Sequence, residues 1–453
     1  TPERSTRPAS SPSPKAGSAH PTCWNYTPGN YWAPGAGGGG SGTWSAGNNS
    51  WSSAAATNGN GIQSPTGTLF FAATAGTVTV SGGVNAAAGM TFSTDGYTVT
   101  NSTIALTGAN AASNTITTDA SVGATIASQL AGSNGMTKAG AGTLTLSAAN
   151  TYTGGTVVSA GSLVGTTTSL QGAITNNAAV TFDQSTAGTY SGVMSGSGSL
   201  TKSGIGRLSL SGSSSYNGAT TVSAGDLNLS GGSITNSAVT VASGASLSGY
   251  GSVGTIGGAG AINPGNSPGI LTTPEVDPSA GTTFNFEMTG TAPTYSNAAS
   301  STNDLIRITG MLPTTPFSQA LTASNGINIY FSGAALFTGS TAVQYQGGFF
   351  TDQSASFASS ITNATYNYYF ANGAGSTTYN GASYYSKAQY ESLVLGTNML
   401  ITVSTVAQTA DFGSGDISGQ VMQVQVIPEP STYALLLLGA GAVFAWKRRM
   451  RFL

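Results

Sequence analysis

Thr137-Lys138-Ala139-Gly140-Ala141-Gly142-Thr143-Leu144-Thr145-Leu146-Ser147 returns 64 residues later as Thr201-Lys202-Ser203-Gly204-Ile205-Gly206-Arg207-Leu208-Ser209-Leu210-Ser211. The register then holds without a gap through Tyr152 and Tyr216, Gly154 and Gly218, Val158 and Val222, and Ser159-Ala160-Gly161 and Ser223-Ala224-Gly225, ending near Leu163 and Leu227. So constant an offset marks two copies of one structural unit, expected at equivalent places in a stack. Leu144 and Leu146, like Leu208 and Leu210, alternate with polar residues and so point to one side of a strand. Val158 and Leu163 fall on the next two short strands. Gly140, Gly142, Gly154 and Gly161 mark corners, where the chain needs left-handed backbone or close approach. One coil cannot bury its apolar side alone, whereas stacked coils share a continuous core and pair their backbone edges. The 64-residue unit is expected to span about three coils of roughly 20 residues.

The same texture extends outward. Thr77-Val78-Thr79-Val80, Met90-Thr91-Phe92, Tyr97-Thr98-Val99 and Ile104-Ala105-Leu106 are short alternating runs bounded by Gly, Asn or Asp, the signature of strands and turns. Trp44 and Trp51 flank a Gly/Asn turn, and nothing between residues 43 and 270 shows a sustained helical period. The expected fold is all-β, a parallel β-solenoid over residues 43–275.

Composition narrows the function. Charged residues make up 6% of the 453, against roughly a quarter in an average soluble domain, and Gly alone contributes 65. Such a surface is wetted by hydroxyls and amides. Seven of the twelve basic residues lie at the ends, as Arg4, Arg7, Lys15, Lys447, Arg448, Arg449 and Arg451. The body between is weakly acidic, which excludes a phosphate-tracking nucleic-acid surface. Cys23 is the one cysteine, so no disulfide framework or thiolate metal cluster forms within the chain. Residues 1–42 read as a disordered Pro/Gly-rich flank. Its first 22 residues hold five prolines and no apolar run, and the chain starts at Thr1, so the export signal is expected to be missing from this sequence.

Residues 135–165 and 199–229 resemble the autotransporter-associated β-strand repeat, a Thr-Lys-x-Gly-x-Gly-x-Leu-x-Leu-Ser run followed by Asn-x-Tyr-x-Gly-x-Thr. Asn150, Tyr152, Gly154 and Thr156 complete the first copy; in the second, Ser214 replaces the Asn and Tyr216, Gly218 and Thr220 remain. The resemblance implies a right-handed parallel β-helix of the kind found in secreted passenger domains. Leu144, Leu146, Tyr152, Leu208, Leu210 and Tyr216 are the expected repeat core. Pro264-Gly265-Asn266-Ser267-Pro268-Gly269 resembles a turn that closes such solenoids. No run of ten-residue strands of the sort that builds an outer-membrane translocation barrel is visible in the sequence.

The C-terminal segment, residues 427–453, is similar to the PEP-CTERM sorting signal, which the membrane enzyme exosortase recognises in polysaccharide-producing Gram-negative bacteria. Pro428-Glu429-Pro430 is the expected sorting motif, and its two prolines favour an extended segment suited to an enzyme cleft. Tyr433 to Trp446 carries no charge and includes Leu435, Leu436, Leu437 and Leu438. Its 14 residues would span about 21 Å as helix, short for a bilayer core of about 30 Å. Tyr433 and Trp446 are the expected interfacial anchors, and Lys447, Arg448, Arg449 and Arg451 the cytoplasmic basic stop. The expected partners are exosortase and the lipid bilayer, with extracellular polysaccharide a further candidate.

Residues 276–426 change texture. Phe284-Asn285-Phe286-Glu287-Met288 and Leu305-Ile306-Arg307-Ile308 alternate as strands, but Ser-, Thr- and Pro-rich loops separate them. A β-rich cap that ends the solenoid and blocks its open edge is expected. Eight of the eighteen tyrosines lie between Tyr345 and Tyr390. They read as strand packing and loop residues, or alternatively as a carbohydrate-stacking face.

Catalytic chemistry finds little support. Gly265-Asn266-Ser267-Pro268-Gly269 matches a nucleophile elbow in letters. However, the residue after the serine must offer an N–H to the oxyanion, and Pro268 has none. The single histidine, His20, lies in the N-terminal flank. A β-helix polysaccharide lyase needs clustered acids or calcium, whereas Asp95, Asp119, Asp183 and Asp226 are scattered and read as turn caps. Asp304, one residue before a strand, reads the same way. Glu275 and Asp277 flank a Pro-rich linker, and Lys138 and Lys202 read as structural. No catalytic residue, metal site or cofactor is expected. The expected function is that of an exported structural or adhesive envelope or matrix protein, held at the inner membrane by its tail before reaching the cell surface. A carbohydrate-binding surface module is the first alternative and the lyase the second.

Overall fold

The computed structural model describes residues 30–34, 38–46, 51–52, 67–265, 268–289, 303–309, 321–331, 343–351, 361, 364–371, 377–379, 382–390, 399–411 and 416–428. The alternating runs form short strands that stack coil upon coil in parallel sheets, the architecture of a β-solenoid. On a first face, Leu69–Phe71, Met90–Phe92, Thr115–Thr118, Met136–Ala139, Thr156–Val158, Ile174–Asn176 and Met194–Ser195 pair in parallel. A second face is a 12-stranded sheet from Gly42–Ser45 to Val276–Pro278. The third side starts with Val84–Ala86, Ile104–Leu106 and Leu130–Ala131. It resumes with Gly188–Tyr190, Arg207–Leu210, Asp226–Ile234 and Ser246–Val253. Between these stretches corners keep the stack in step: the Thr151 N–H donates to the Leu130 carbonyl, 2.9 Å away.

Alternation decides what each face buries. Leu144 stacks on Leu163, Leu163 on Val180 and Val180 on Leu200, and all four are almost fully buried. Each such side chain contributes roughly 1.5–3 kcal/mol on leaving water. Phe71 and Phe92 add a face-to-face stack at 4.5 Å.

The outward column of the second face is built almost entirely of one residue type. Thr77 pairs with Thr98, Thr98 with Thr125, Thr125 with Thr145, Thr181 with Thr201, Thr201 with Thr221 and Thr221 with Thr240. Val164 occupies the rung between Thr145 and Thr181.

The two repeat copies do not occupy equivalent places around the coil, contrary to the expectation from their constant offset. Met136–Ala139 and Thr143–Leu146 lie on the first and second faces, whereas Ser199–Ser203 and Arg207–Leu210 lie on the second face and the third side. The reason is coil length. Met136 aligns with Met194 through Thr156 and Ile174, so three coils take 58 residues and a shift of 64 overshoots by one face.

The solenoid also reaches into the N-terminal flank. Asn30–Trp32 pairs in parallel with Leu69–Phe71, and Trp32 is buried with its indole N–H donating to the Gly40 carbonyl at 2.9 Å. A short apolar pair, Tyr31-Trp32, suffices to add a strand to an open edge.

Beyond residue 276 the loops lengthen but the pairing does not change at once. Ala261–Pro264, Thr283–Met288, Gly326–Phe331 and Thr365–Ala371 form one parallel ladder. Ile270–Thr273, Leu305–Ile308 and Val343–Thr351 form a second. Antiparallel strands finish the described chain. Ala382–Ser386 pairs with Thr365–Ala371, and the hairpin Met399–Asp411 with Asp416–Pro428 lies against Val343–Thr351. Among the described residues no helix is long and apolar enough to cross a membrane. The stretch 433–446 lies outside them.

Candidate functional site

Polar chemistry gathers at the repeat corner, on the outer surface and at the start of the sorting segment. In the corner, Lys138 occupies an inward position of its strand and stacks on Ile116 and Val158. Alternation would assign that position an apolar residue. Instead its aliphatic stem runs through the core and its Nζ donates to the carbonyls of Ala139 (2.8 Å), Gly140 (2.8 Å) and Ala160 (3.1 Å). An ammonium has three donors, and all are used, two on its own coil and one on the next. Lys202 repeats the set with Ser203 (2.7 Å), Gly204 (2.7 Å) and Ala224 (3.0 Å). Burial pushes the Lys138 ammonium down to about 8. It also lowers Lys202, against the opposing pull of Asp226 and Asp183.

The glycines explain why the corner is so tight. Gly140, Gly161 and Gly225 adopt φ of 73°, 68° and 66°. A Cβ on Gly161 would collide with the carbonyl oxygens of Gly142 and Gly140, and one on Gly225 with those of Gly204 and Gly206. The tyrosine half of the motif closes the same unit. The Tyr152 hydroxyl shares a hydrogen bond with Thr156 Oγ1 at 2.8 Å, and Tyr216 does so with Thr220 at 2.6 Å. The second set continues through Ser237 Oγ (2.7 Å) to the Gly218 carbonyl (2.7 Å). Burial raises both phenols, Tyr216 to about 12. The Asn150-to-Ser214 exchange keeps its bond: Asn150 Oδ1 accepts the Leu130 N–H at 2.8 Å, and Ser214 Oγ the Met194 N–H at 2.9 Å. Leu144, Leu146, Leu208 and Leu210 are all buried beside these groups.

The acids serve turns and coil contacts. Asp95 Oδ1 accepts the Gly123 N–H at 2.7 Å, and Asp226 pairs with Arg207 at 2.7 Å while accepting from Ser246 and Ser248. Asp304 is fully buried and accepts the N–H groups of Gly269 (2.8 Å) and Glu287 (2.7 Å), which fixes Gly269 just ahead of the strand Ile270–Thr273. Desolvation holds its carboxyl well above the ordinary carboxylate range.

On the surface, the tyrosine-rich segment turns much of its aromatic area inward. Tyr366, Tyr368 and Tyr385 are half-buried and pack against the core, and the Tyr366 hydroxyl donates to the Ile361 carbonyl at 3.0 Å. Tyr330 and Tyr369 stack at 4.7 Å. Beside them runs an amide ladder, in which Asn285 donates to Asn263, Asn328 to Asn285 (2.6 Å) and Asn367 to Asn328 (2.9 Å). The threonine column of the second face differs in kind. Thr221 and Thr240 are exposed and Thr98, Thr125, Thr145, Thr181 and Thr201 half-exposed. Among the described residues none of these hydroxyls is engaged within the protein. The sequence carried a signal for this column, a Thr standing just before an inward strand residue such as Val99, Ile126, Leu146 or Val222, but only the register shows that these threonines align.

Of the sorting motif, Pro428 ends the strand Asp416–Pro428 and faces Met399 across the ladder. Glu429, Pro430, Tyr433, Leu435, Leu436, Leu437, Leu438, Trp446, Lys447, Arg448, Arg449 and Arg451 lie outside the described residues.

Fold and corners together define an all-β solenoid that carries two copies of one corner motif. Residues 136–164 and 200–229 match the passenger-associated-transport-repeat family, and residues 426–449 match the PEP-CTERM protein-sorting motif. The chain thus carries autotransporter-associated repeats followed by a sorting motif, and the latter implies processing by exosortase and export to the cell surface. Over 199 residues the chain is 34% identical to the adhesin BmaC autotransporter of Brucella suis biovar 1 (strain 1330), a match that covers 41% of this chain and 6% of that protein. No solved structure matches the chain.

Proposed function

We propose that this protein is a non-enzymatic structural and adhesive component of the cell envelope or extracellular matrix. In this reading the solenoid, right-handed as in passenger domains, is a stiff hydroxyl-rich rod. A short helix over 433–446 holds it at the inner membrane until exosortase acts near Pro428-Glu429-Pro430. The observation that carries the reading is the match of residues 426–449 to the sorting motif, which begins within the last described strand and runs on past its end. Likeness over part of the chain to a protein named as an adhesin supports the adhesive half. Mass spectrometry of the mature C-terminus, from cells with and without exosortase, tests it. Loss of the tail only where exosortase is present is the expected result. An intact Arg451-Phe452-Leu453 end in both strains would reduce the tail to a plain anchor.

A second reading, a carbohydrate-binding surface module, is favoured by the threonine column. Its rungs recur every ~4.8 Å, close to the advance per sugar of an extended β-linked glycan, and its hydroxyls are unengaged. Individually weak contacts at fixed spacing add up by avidity. Thr181→Val, Thr201→Val and Thr221→Val remove hydroxyls and keep the shape, as Val164 already shows on the same column. Retention on neutral polysaccharide beads should fall roughly tenfold in the triple variant; unchanged retention would eliminate the column as a binding face.

A further inference from the structure

The sorting match begins at residue 426, which lies inside a strand. Val426 is fully buried and is paired on both sides, to Ile401 and to Val343. Ile427 and Pro428 continue the ladder opposite Leu400 and Met399. The motif therefore leaves the folded body with no intervening linker, and its first residues belong to the sheet. A substrate held extended in an enzyme cleft offers its backbone N–H and C=O groups to the enzyme. Successive residues of an antiparallel strand direct these groups to opposite edges, and those of Val426, flanked by Ile401 on one side and Val343 on the other, are committed to a neighbouring strand whichever edge they face.

We propose that the terminal hairpin, Met399–Asp411 with Asp416–Pro428, gates the sorting reaction: the strand end must peel from Met399, Leu400 and Ile401 before exosortase can engage the motif. The inference rests on the sorting reading above and concerns its regulation. Ladder ends open at low free energy, so the gate slows processing without abolishing it, and the apparent rate scales with the fraction peeled. Anything that tightens the hairpin, including completion of folding against Val343–Thr351, delays release. Anything that loosens it advances release.

Two sets of variants, expressed as the exported full chain, test this in exosortase-containing cells. Leu400→Pro with Thr402→Pro removes two N–H groups from the opposing strand and leaves residues 426–453 untouched. Processing should speed up roughly ten- to hundredfold, the effect of freeing about three pairs. Leu400→Cys with Ile427→Cys, in a Cys23→Ser background, places cysteines on directly opposed residues, a spacing that a disulfide accepts. Processing should stop when the pair is oxidised and return on reduction. A control staple, Thr409→Cys with Ser418→Cys, bridges another opposed pair near the hairpin tip and should leave the rate unchanged. Equal rates for wild type and the proline variant, or processing of the oxidised staple at the rate of its reduced form, would overturn the gate. If the reduced staple is itself unprocessed, the proline variant decides alone. Failure of the wild type to be processed at all would instead count against the sorting reading, so the two failures are distinguishable.

Discussion

Lys138 and Lys202 present their ammonium groups to corresponding trios of carbonyls, although one lies on the first face of the solenoid and the other on the second. The repeat thus encodes a local object, a corner spanning two coils, and not a position around the coil. The lysine ties the corner of its own coil to that of the next.

Replacing either lysine by Met should therefore cost about the same. Each substitution strands three part-buried carbonyls while retaining most of the packed stem, a loss of about 1–3 kcal/mol. Amide hydrogen exchange around Gly142 and Gly161 for Lys138→Met, and around Gly206 and Gly225 for Lys202→Met, should report matched local loosening. A large loss at one corner and none at the other would show that the two corners are not energetically equivalent.

Tyr216→Phe breaks a chain of three hydroxyls ending on the Gly218 carbonyl, whereas Tyr152→Phe removes the bond shared with Thr156 and an acceptor for the Gln171 N–H. Each should destabilise by about 1–2 kcal/mol. A double-mutant cycle of Tyr216→Phe with Thr220→Val should be clearly non-additive, because both changes act on the same network. Additive melting shifts would contradict the network.

Gly161→Ala and Gly225→Ala force a side chain into left-handed backbone and against two carbonyl oxygens. Each should cost upwards of about 2 kcal/mol. Gly244 has a similar positive φ of 81° but open space around it, so Gly244→Ala should cost about half as much. Thermal melts of the three variants rank them.

Stability should pass through an alkaline maximum. Burial lowers Lys138 from 10.5 to about 8, so between those values the unfolded chain binds more protons and stability rises with pH. Burial raises Tyr97, Tyr216 and Tyr330 from 10.0 to about 12. From about pH 10 upward the folded chain is then the more protonated, and their contribution is lost as pH climbs through 12. Denaturation midpoints from pH 7 to 12 should thus rise and then fall, with tyrosine ionisation tracking unfolding.

Much of this was legible in the sequence because alternation and corner glycines act locally. Leu144, Leu146, Gly140 and Gly161 announce strand and corner on their own. The rotation of the second copy was hidden, because coils of slightly different length change which face a residue meets without altering its neighbours in sequence. The inward place of Lys138 follows from its spacing to Met136, but a charge at a core position overrides that reading until the carbonyls are seen. Tyr366-Asn367-Tyr368 alternates as plainly as any strand, and the inward packing of its tyrosines was open to the same test. The continuation of the parallel ladders past residue 276 was obscured by loops too long to carry a period.

A module that seats itself at any corner frees the lineage from copying whole turns. Duplication of a gene segment encoding three turns and a fraction still yields a well-seated neighbour, since the insert needs only a stack of strands beneath it and carries its own fastening. Such a protein can change length in small, irregular increments.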